Sequence, residues 1–389
     1  MGRVMEDGSH YSDRRIARGP QMGVEASEFI MTPPYVDTER LTGAGGKTPD
    51  ENQHNWEVLR DTIIGAGGTV INHVVGQVFP TQVYDRDAAL IIGKQAVVPD
   101  PKKLKEALLV VHGYDQKERT AVVEGTHAFL KNHGLELKTL SGFTFEGGDT
   151  VVSEKNNTIF MGMNFYNMGQ EEKAVQAMSA ATGMKVVPVP MPQAKPRVIT
   201  LSELASLKPT DTHPPYYHLD TYMSVLPNGE VLINPKGTTA EGLALIKNTV
   251  GEKNIILVNN EHDQLGYAAN LVNVGNTLIM PTASKELRKT LEDRGYRVIT
   301  PEDQGLKPGA WNFNDGAVHC VTLPVYNAPR QNQLQTRGDL RGYQASTMPE
   351  KPNDVRPSAA APPPTTTPAH SAPSGNKKPT ASSQPALRT

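Results

Sequence analysis

The sequence predicts an α/β fold built from repeated units, and two observations lead to that prediction. A helix-like segment, a glycine and a short apolar strand recur in that order five times between residues 51 and 299. After each strand come a loop and a second strand-rich piece. Because such a unit is too small to bury an apolar face alone, neighbouring units are expected to pack on one another. We therefore predict a closed ring of five α/β units, with an open sheet of alternating strands and helices as the alternative.

The elements follow one another in a constant order. The helix-like segments cover residues 51–65, 116–133, 171–182, 239–250 and 284–294. The following strands begin at Gly68, Gly134, Gly183, Gly251 and Gly295. A glycine at this place predicts a left-handed helix C-cap, since glycine adopts positive φ without steric cost. The second strand-rich pieces cover residues 87–93, 157–162, 229–234, 276–281 and 318–325.

Composition limits the domain organisation and the partners. The termini, residues 1–26 and 331–389, are poor in apolar side chains, and the latter is rich in Pro, Ser, Thr and Ala, which predicts disorder. The folded domain is then expected at residues 27–330. A net charge of −2 gives no basic surface for nucleic acid, and no apolar run is long enough for a membrane helix. We expect a cytoplasmic protein with a small-molecule partner. The sequence does not determine its oligomeric state.

The chain has one cysteine, Cys320, which excludes an internal disulfide and a multi-cysteine zinc site. A lone cysteine is most often a small buried apolar residue. Its neighbours in the repeat pattern change that interpretation. Polar residues cluster in equivalent loops of the five units, at residues 84–87, 145–149, 217–220, 268–270 and 316–320. In a ring these loops converge on the axis, so their side chains are expected to share one site.

Such a site would bring together the carboxylates of Asp87, Glu146, Asp149 and Asp220. Carboxylates held close together repel one another unless a cation relieves them. A guanidinium group fits, because its planar fork of N–H donors matches paired carboxylates. A divalent metal fits as well, but it leaves His218 and Cys320 without a role.

The guanidinium interpretation uses both residues. A thiolate attacks the guanidinium carbon, and a histidine protonates the leaving nitrogen and then activates water. No metal and no organic cofactor are needed. Because the carboxylates oppose ionisation of the thiol, we expect the bound cation to assist it.

Three motifs occur in a fixed order: Glu146-Gly-Gly-Asp149, His218-Leu-Asp220 and His319-Cys320-Val-Thr. Together with Arg86-Asp87 and the segment 29–34, they resemble the guanidine-modifying superfamily, which includes arginine deiminases, dimethylarginine dimethylaminohydrolases and glycine amidinotransferases. The resemblance spans residues 27–326.

The resemblance implies a pentein-type, five-bladed pseudosymmetric α/β propeller of ββαβ units. It implies Cys320 as nucleophile, His218 as general acid and base, and Glu146 and Asp220 as further catalytic residues. Asp87, Glu146 and Asp220 would hold the guanidinium, with Asp149 either binding substrate or supporting the backbone.

Other polar residues near these motifs receive different interpretations. Asp85 competes with Asp87 for the substrate role. His319 is expected to alternate with Cys320 along a strand and to face away from the site. Asn270 is expected to be a loop residue with a structural hydrogen-bonding role. The candidates for binding a substrate carboxylate are Arg86, Arg119 and Arg330.

The predicted function is hydrolysis of a guanidino C–N bond in arginine or a derivative, through a covalent thiouronium intermediate. The first alternative is an amidinotransferase that passes the amidino group to an acceptor amine. The second is a non-catalytic relative that binds a guanidino ligand.

Overall fold

The computed structural model describes residues 28–34, 49–73, 82–101, 104, 116–164, 167, 169–192, 218–313 and 316–327. The chain divides into a compact unit, Met1–Gln335, and a second unit, Thr336–Thr389, none of whose residues is described. Both predicted tails, residues 1–26 and 331–389, lie outside the described residues, and so their disorder stays a prediction. The predicted domain boundaries are likewise untested.

The described residues form an α/β fold. Its strands are β1 (Glu28–Met31), β2 (Thr69–Asn72), β3 (Leu90–Ile92), β4 (Gln95–Pro99), β5 (Glu136–Leu140), β6 (Thr150–Ser153), β7 (Thr158–Met163), β8 (Lys185–Pro190), β9 (Met223–Val225), β10 (Val231–Ile233), β11 (Ile255–Leu257), β12 (Val272–Val274), β13 (Thr277–Ile279), β14 (Arg297–Ile299) and β15 (Leu323–Tyr326). Its helices are α1 (Pro49–Gly65), α2 (Gln116–Asn132), α3 (Glu171–Thr182), α4 (Ala240–Val250), α5 (Glu261–Leu265) and α6 (Lys285–Glu292).

Strand pairing repeats the same pattern in five three-stranded groups. In each group the first strand pairs antiparallel with the second, and the second pairs parallel with the third. Group 1 is β15-β1-β2, group 2 is β3-β4-β5, group 3 is β6-β7-β8, group 4 is β9-β10-β11 and group 5 is β12-β13-β14. A helix joins the second and third strands of every group, as the parallel pairing requires. Group 1 takes its first strand from the end of the domain.

Five apolar clusters lie between neighbouring groups. One joins groups 2 and 3, for example through Val97 and Ile159, and further clusters join groups 3 and 4 and groups 4 and 5. The remaining two join group 5 to group 1 and group 1 to group 2. Most strand residues are buried on both faces, so these strands are apolar runs rather than alternating sequences.

The helix ends agree closely with the predicted segments, because capping is encoded locally. Thr239 Oγ1 accepts a hydrogen bond from the Gly242 N–H at the start of α4, and Ser284 Oγ accepts one from Leu287 at the start of α6. Gly134, Gly183 and Gly295 have positive φ as predicted. The prediction was wrong for Gly68, because Gly67 takes the positive φ there.

The fifth strand-rich piece was predicted too long. Residues 318–321 form a turn, in which Val321 N–H donates to Ala317 O and Thr322 N–H donates to His319 O. Only Leu323–Tyr326 is a strand. Within the described ranges, no helix is long and apolar enough to cross a membrane.

Candidate active site

Three short 3₁₀ turns stand at equivalent places, directly before the first strands of groups 2, 3 and 4. They cover Asp85–Ala88, Gly147–Asp149 and Leu219–Thr221. The second turn packs against both of the others. These turns carry Asp87, Asp149 and Asp220, and Glu146 and His218 immediately precede the second and third turns. The repeat pattern therefore brings the predicted acidic residues together.

Two glycines allow the turns to approach so closely. A Cβ on Gly147 would lie 1.9 Å from the backbone oxygen of Arg86. A Cβ on Gly148 would lie 2.5 Å from Nδ1 of His218 and 3.0 Å from Oδ1 of Asp87. Since neither glycine has positive φ, contact with the neighbouring loops is what requires glycine here.

His218 lies between two carboxylates. Its Nε2 is 3.0 Å from Glu146 Oε2, and its Nδ1 is 3.4 Å from Asp87 Oδ1. Burial alone lowers the pKa of this imidazole, but Asp87, Glu146 and Asp149 together outweigh burial and raise it to about 10. The ring is therefore an imidazolium at neutral pH, and so it holds a proton that it can donate.

Asp220 is fully buried and has three polar neighbours. Its Oδ2 accepts a hydrogen bond from His319 Nδ1 at 2.8 Å and lies 3.6 Å from Arg86 Nε, and its Oδ1 lies 3.8 Å from the sulfur of Cys320. Burial raises the pKa of Asp220, but His319, Arg86 and His218 outweigh it and lower the pKa below its usual value. Asp220 is thus a carboxylate beside the thiol. Burial lowers the pKa of His319 below its usual value, against the opposing effect of Asp220.

Cys320 is buried, with 4% of its surface exposed. Its Sγ accepts a hydrogen bond from Asn270 Nδ2 at 3.1 Å. Burial raises the pKa of the thiol well above its ordinary value, and the carboxylates of Asp220 and Asp87 raise it further. The cysteine is therefore a neutral thiol when no cation is bound, and the site as a whole attracts positive charge.

Asp149 and Asp85 are engaged in supporting contacts. Asp149 Oδ2 accepts from the backbone N–H of Glu146, and its Oδ1 accepts from Asn164 Nδ2, both at 2.8 Å. Asp85, which the sequence offered as a competitor of Asp87, forms hydrogen bonds with Thr32, His73 and Thr126 instead.

Two sequence-based expectations about neighbouring residues were wrong. His319 does not face away, because the turn at residues 318–321 directs its ring to Asp220. Arg86 cannot bind a substrate carboxylate, because its buried guanidinium donates to the backbone and side-chain oxygens of Thr150. The side chain of Arg119 and all of Arg330 lie outside what the structure describes. For His319, the signal available in the sequence was its place next to the only cysteine.

No family model matches the chain. Among curated proteins, it is 34% identical over 308 residues to the bifunctional arginine dihydrolase/ornithine cyclodeaminase ArgZ of Synechocystis sp., covering 76% of this chain and 37% of that protein. It is 37% identical over 125 residues to the corresponding protein AgrE of Nostoc sp., covering 32% of this chain and 16% of AgrE. The chain thus spans little more than a third of the length of ArgZ.

Two solved structures agree with these similarities. The N-terminal domain of ArgZ, as a cysteine-to-serine variant bound to substrate, superposes with a TM-score of 0.60 at 19% identity over 77% of this chain and 98% of that domain. DDAH from Pseudomonas aeruginosa, complexed with citrulline, superposes with a TM-score of 0.54 at 16% identity over 77% of this chain and 99% of that chain.

The fold and these similarities define the class: a member of the pentein superfamily of guanidino-modifying enzymes. Within it, the chain is homologous to the arginine dihydrolases ArgZ and AgrE. In the part of the chain that is described, no group of three or more His, Cys, Asp or Glu is arranged to hold a metal ion. The expectation of a mechanism without metal or cofactor stays a prediction.

Proposed function

We propose that this protein is a cysteine-dependent hydrolase that cleaves a guanidino C–N bond of arginine or an arginine derivative. One observation carries the proposal: Cys320 Sγ lies 3.8 Å from the Asp220 carboxylate, and the turn that carries His218 and Asp220 packs against Gly148, beside Asp87. A thiol, an imidazolium and several carboxylates in one buried site suit a flat cation. Homology to arginine dihydrolases supports the same substrate class.

Binding of the substrate begins with charge. Asp87, Glu146 and Asp220 accept hydrogen bonds from the guanidinium, while Asp149 supports the backbone that carries Glu146. The incoming positive charge offsets the two carboxylates that raise the pKa of Cys320. Because the charged form of the thiol is then less unfavourable, the substrate itself promotes formation of the nucleophile.

In the first chemical step the Cys320 thiol gives up its proton to solvent, Sγ forms a bond to the guanidinium carbon, and a C–N bond breaks. The leaving nitrogen takes the proton of the His218 imidazolium and departs as ammonia or an amine. In the second step a water molecule gives a proton to the now neutral imidazole and adds to the thiouronium carbon. The C–S bond breaks with its electron pair on sulfur, the hydroxyl proton of the ureido group passes to solvent, and the neutral ureido product leaves while the thiolate takes up a proton from solvent.

The complete architecture that fits this chemistry is a closed, five-bladed propeller, in which the five groups are the blades. The apolar clusters that join group 5 to group 1 and group 1 to group 2 support closure, because an open row of five groups would need only four such joints.

We assign the protein to the cytoplasm, since a single thiol that acts as a nucleophile must stay reduced.

The proposal is tested with arginine, methylarginines and agmatine as substrates, each assayed for ammonia, the ureido product and the free amine. We expect one of these compounds to be hydrolysed. Cys320→Ser should abolish turnover while thermal unfolding stays close to that of the wild type. Full activity in Cys320→Ser would exclude the mechanism.

The same assay separates the alternatives. An amidinotransferase would release no ureido product and would transfer the amidino group when glycine or lysine is added as acceptor. A binding protein would show saturable binding of a guanidino compound by calorimetry and no turnover at all. With arginine as the substrate and no acceptor added, formation of the side-chain amine together with two equivalents of ammonia would show that the ureido group is hydrolysed in a second reaction.

A further inference from the structure

Asn270 uses its entire side-chain amide around the cysteine. Nδ2 donates to the sulfur of Cys320 at 3.1 Å and to the backbone oxygen of Asp220 at 2.7 Å. Oδ1 accepts from the backbone N–H of His319 at 2.9 Å and from that of Cys320 at 3.3 Å. Two donated and two accepted hydrogen bonds nearly exhaust what a carboxamide offers, and the side chain is fully buried.

These contacts determine which way the amide points. If the oxygen and nitrogen were exchanged, the oxygen would face the carbonyl of Asp220 and the nitrogen would face two N–H groups. Both contacts would then be repulsive, and Asn270 is fully buried. The N–H of Asn270 is therefore held toward the sulfur by partners that do not depend on the state of the thiol.

The sulfur otherwise faces an unfavourable environment for a thiolate. Asp220 lies 3.8 Å away, and burial raises the pKa of Cys320 further. The backbone N–H of Ala317 and the amide of Asn270 act in the opposite direction. Within the described ranges, Asn270 is the one side-chain donor to this sulfur.

We propose that Asn270 is a catalytic residue, whose side-chain N–H stabilises the Cys320 thiolate as it forms before attack and as it leaves at the end of the reaction. The inference rests on the proposed function and adds a residue to it. A hydrogen bond to a charged sulfur is stronger than one to a neutral thiol, and so the contact strengthens in the states that react. The same amide holds the turn that carries the cysteine.

The test measures the thiol itself and needs no substrate. Because the chain has a single cysteine, iodoacetamide alkylation followed over a range of pH reports on Cys320 alone. Asn270→Asp keeps the shape and the accepting oxygen but replaces the donor by an acceptor. We expect its alkylation rate at neutral pH to fall at least about tenfold, with a higher thiol pKa. An Asn270→Asp protein that is alkylated like the wild type would overturn the inference.

Asn273→Asp is the matched control. Asn273 also donates through Nδ2 to a backbone oxygen, that of Val225 at 2.9 Å, and no hydrogen bond joins it to Cys320. It should leave the alkylation profile unchanged. If it lowers the rate as strongly as Asn270→Asp, the effect is a general one of misplaced charge and the inference fails.

A second measurement covers the case in which Asn270→Asp does not fold. In the wild-type chain, the side-chain amide of Asn270 is followed by ¹⁵N NMR as the pH is raised. Its resonance should shift as Cys320 ionises and should show no such transition in Cys320→Ser. A resonance that is insensitive to ionisation of the thiol would overturn the inference. If the thiol effects hold while no guanidino compound is turned over, Asn270 keeps its role and the proposed substrate class is wrong.

Discussion

Gly148→Ala tests the catalytic geometry with a single added methyl group. The new Cβ would lie 2.5 Å from His218 Nδ1 and 2.8 Å from Cγ of the same ring. Ordinary van der Waals contact begins at 3.4 Å, so the imidazole or the loop must move by about 0.9 Å. The ring cannot move freely, because Glu146 holds its other nitrogen at 3.0 Å.

The expected effect follows from that displacement. A misplacement of about 1 Å in a catalytic group can lower the rate by about a hundredfold. Because the proposed mechanism has His218 protonate the leaving nitrogen, we expect kcat to fall by about that factor and KM to change much less. Overpacking of this kind also costs about 1–3 kcal/mol in the free energy of unfolding. The assay is steady-state turnover of the best guanidino substrate, together with urea-induced unfolding.

Gly65→Ala provides the control. Gly65 ends helix α1, has no positive φ, and a Cβ there would meet nothing within 4 Å. This variant should keep wild-type kcat and gain a little stability, because alanine restricts the unfolded chain. If Gly148→Ala folds and turns over substrate as fast as the wild type, the assigned position or role of His218 is wrong.

Three further predictions follow from the charges of the site. A bound guanidino ligand should lower the pKa of Cys320, measured as thiolate absorbance against pH relative to Cys320→Ser; an unchanged thiol pKa would refute substrate-assisted ionisation. Because the pKa of His218 is raised from 6.5 to about 10, its stabilising contribution is complete below 6.5 and is lost as the pH rises through 10. The free energy of unfolding should fall between pH 6.5 and 10 by up to about 1.4 kcal/mol per pH unit. Glu146→Gln should make this pH dependence less steep. An equally steep dependence in Glu146→Gln would contradict the assignment of the raised pKa of His218 to Glu146. Arg86→Met should lower the free energy of unfolding, measured in urea, by about 3–5 kcal/mol, because it leaves Asp220 buried without its cation. A decrease of less than about 1 kcal/mol would show that Arg86 contributes little to stability.

The sequence predicted the repeated elements well because their signals are local. Helix α3 begins and ends as predicted, and its end is encoded by Gly183, whose φ is 70°. The strands that pair antiparallel with the predicted pieces were missed, for example β6 and β12, because strands of only three or four residues carry no clear hydrophobic period. Their pairing depends on the neighbouring strand rather than on their own sequence.

In the site, the outcome differed from residue to residue. Asp87, Glu146, His218, Asp220 and Cys320 come together where the repeat placed their loops. The orientation of His319 was predicted wrongly because a strand was assumed where the chain forms a turn. The residue Arg86 was identified but its role was not, since its partner Thr150 stands 64 positions further along the chain.

By itself the sequence determined which residue types the protein has available and in which loops they stand: one thiol, one imidazole before a turn, and acidic side chains at equivalent places. Those features depend on local signals, namely apolar runs, capping residues and glycines. Only the tertiary structure decided which polar group contacts which. Hydrogen bonds such as those of Asn270 to Cys320 and of His319 to Asp220 join residues 50 and 99 positions apart. Contacts of that range depend on how whole groups pack, and no local pattern encodes them.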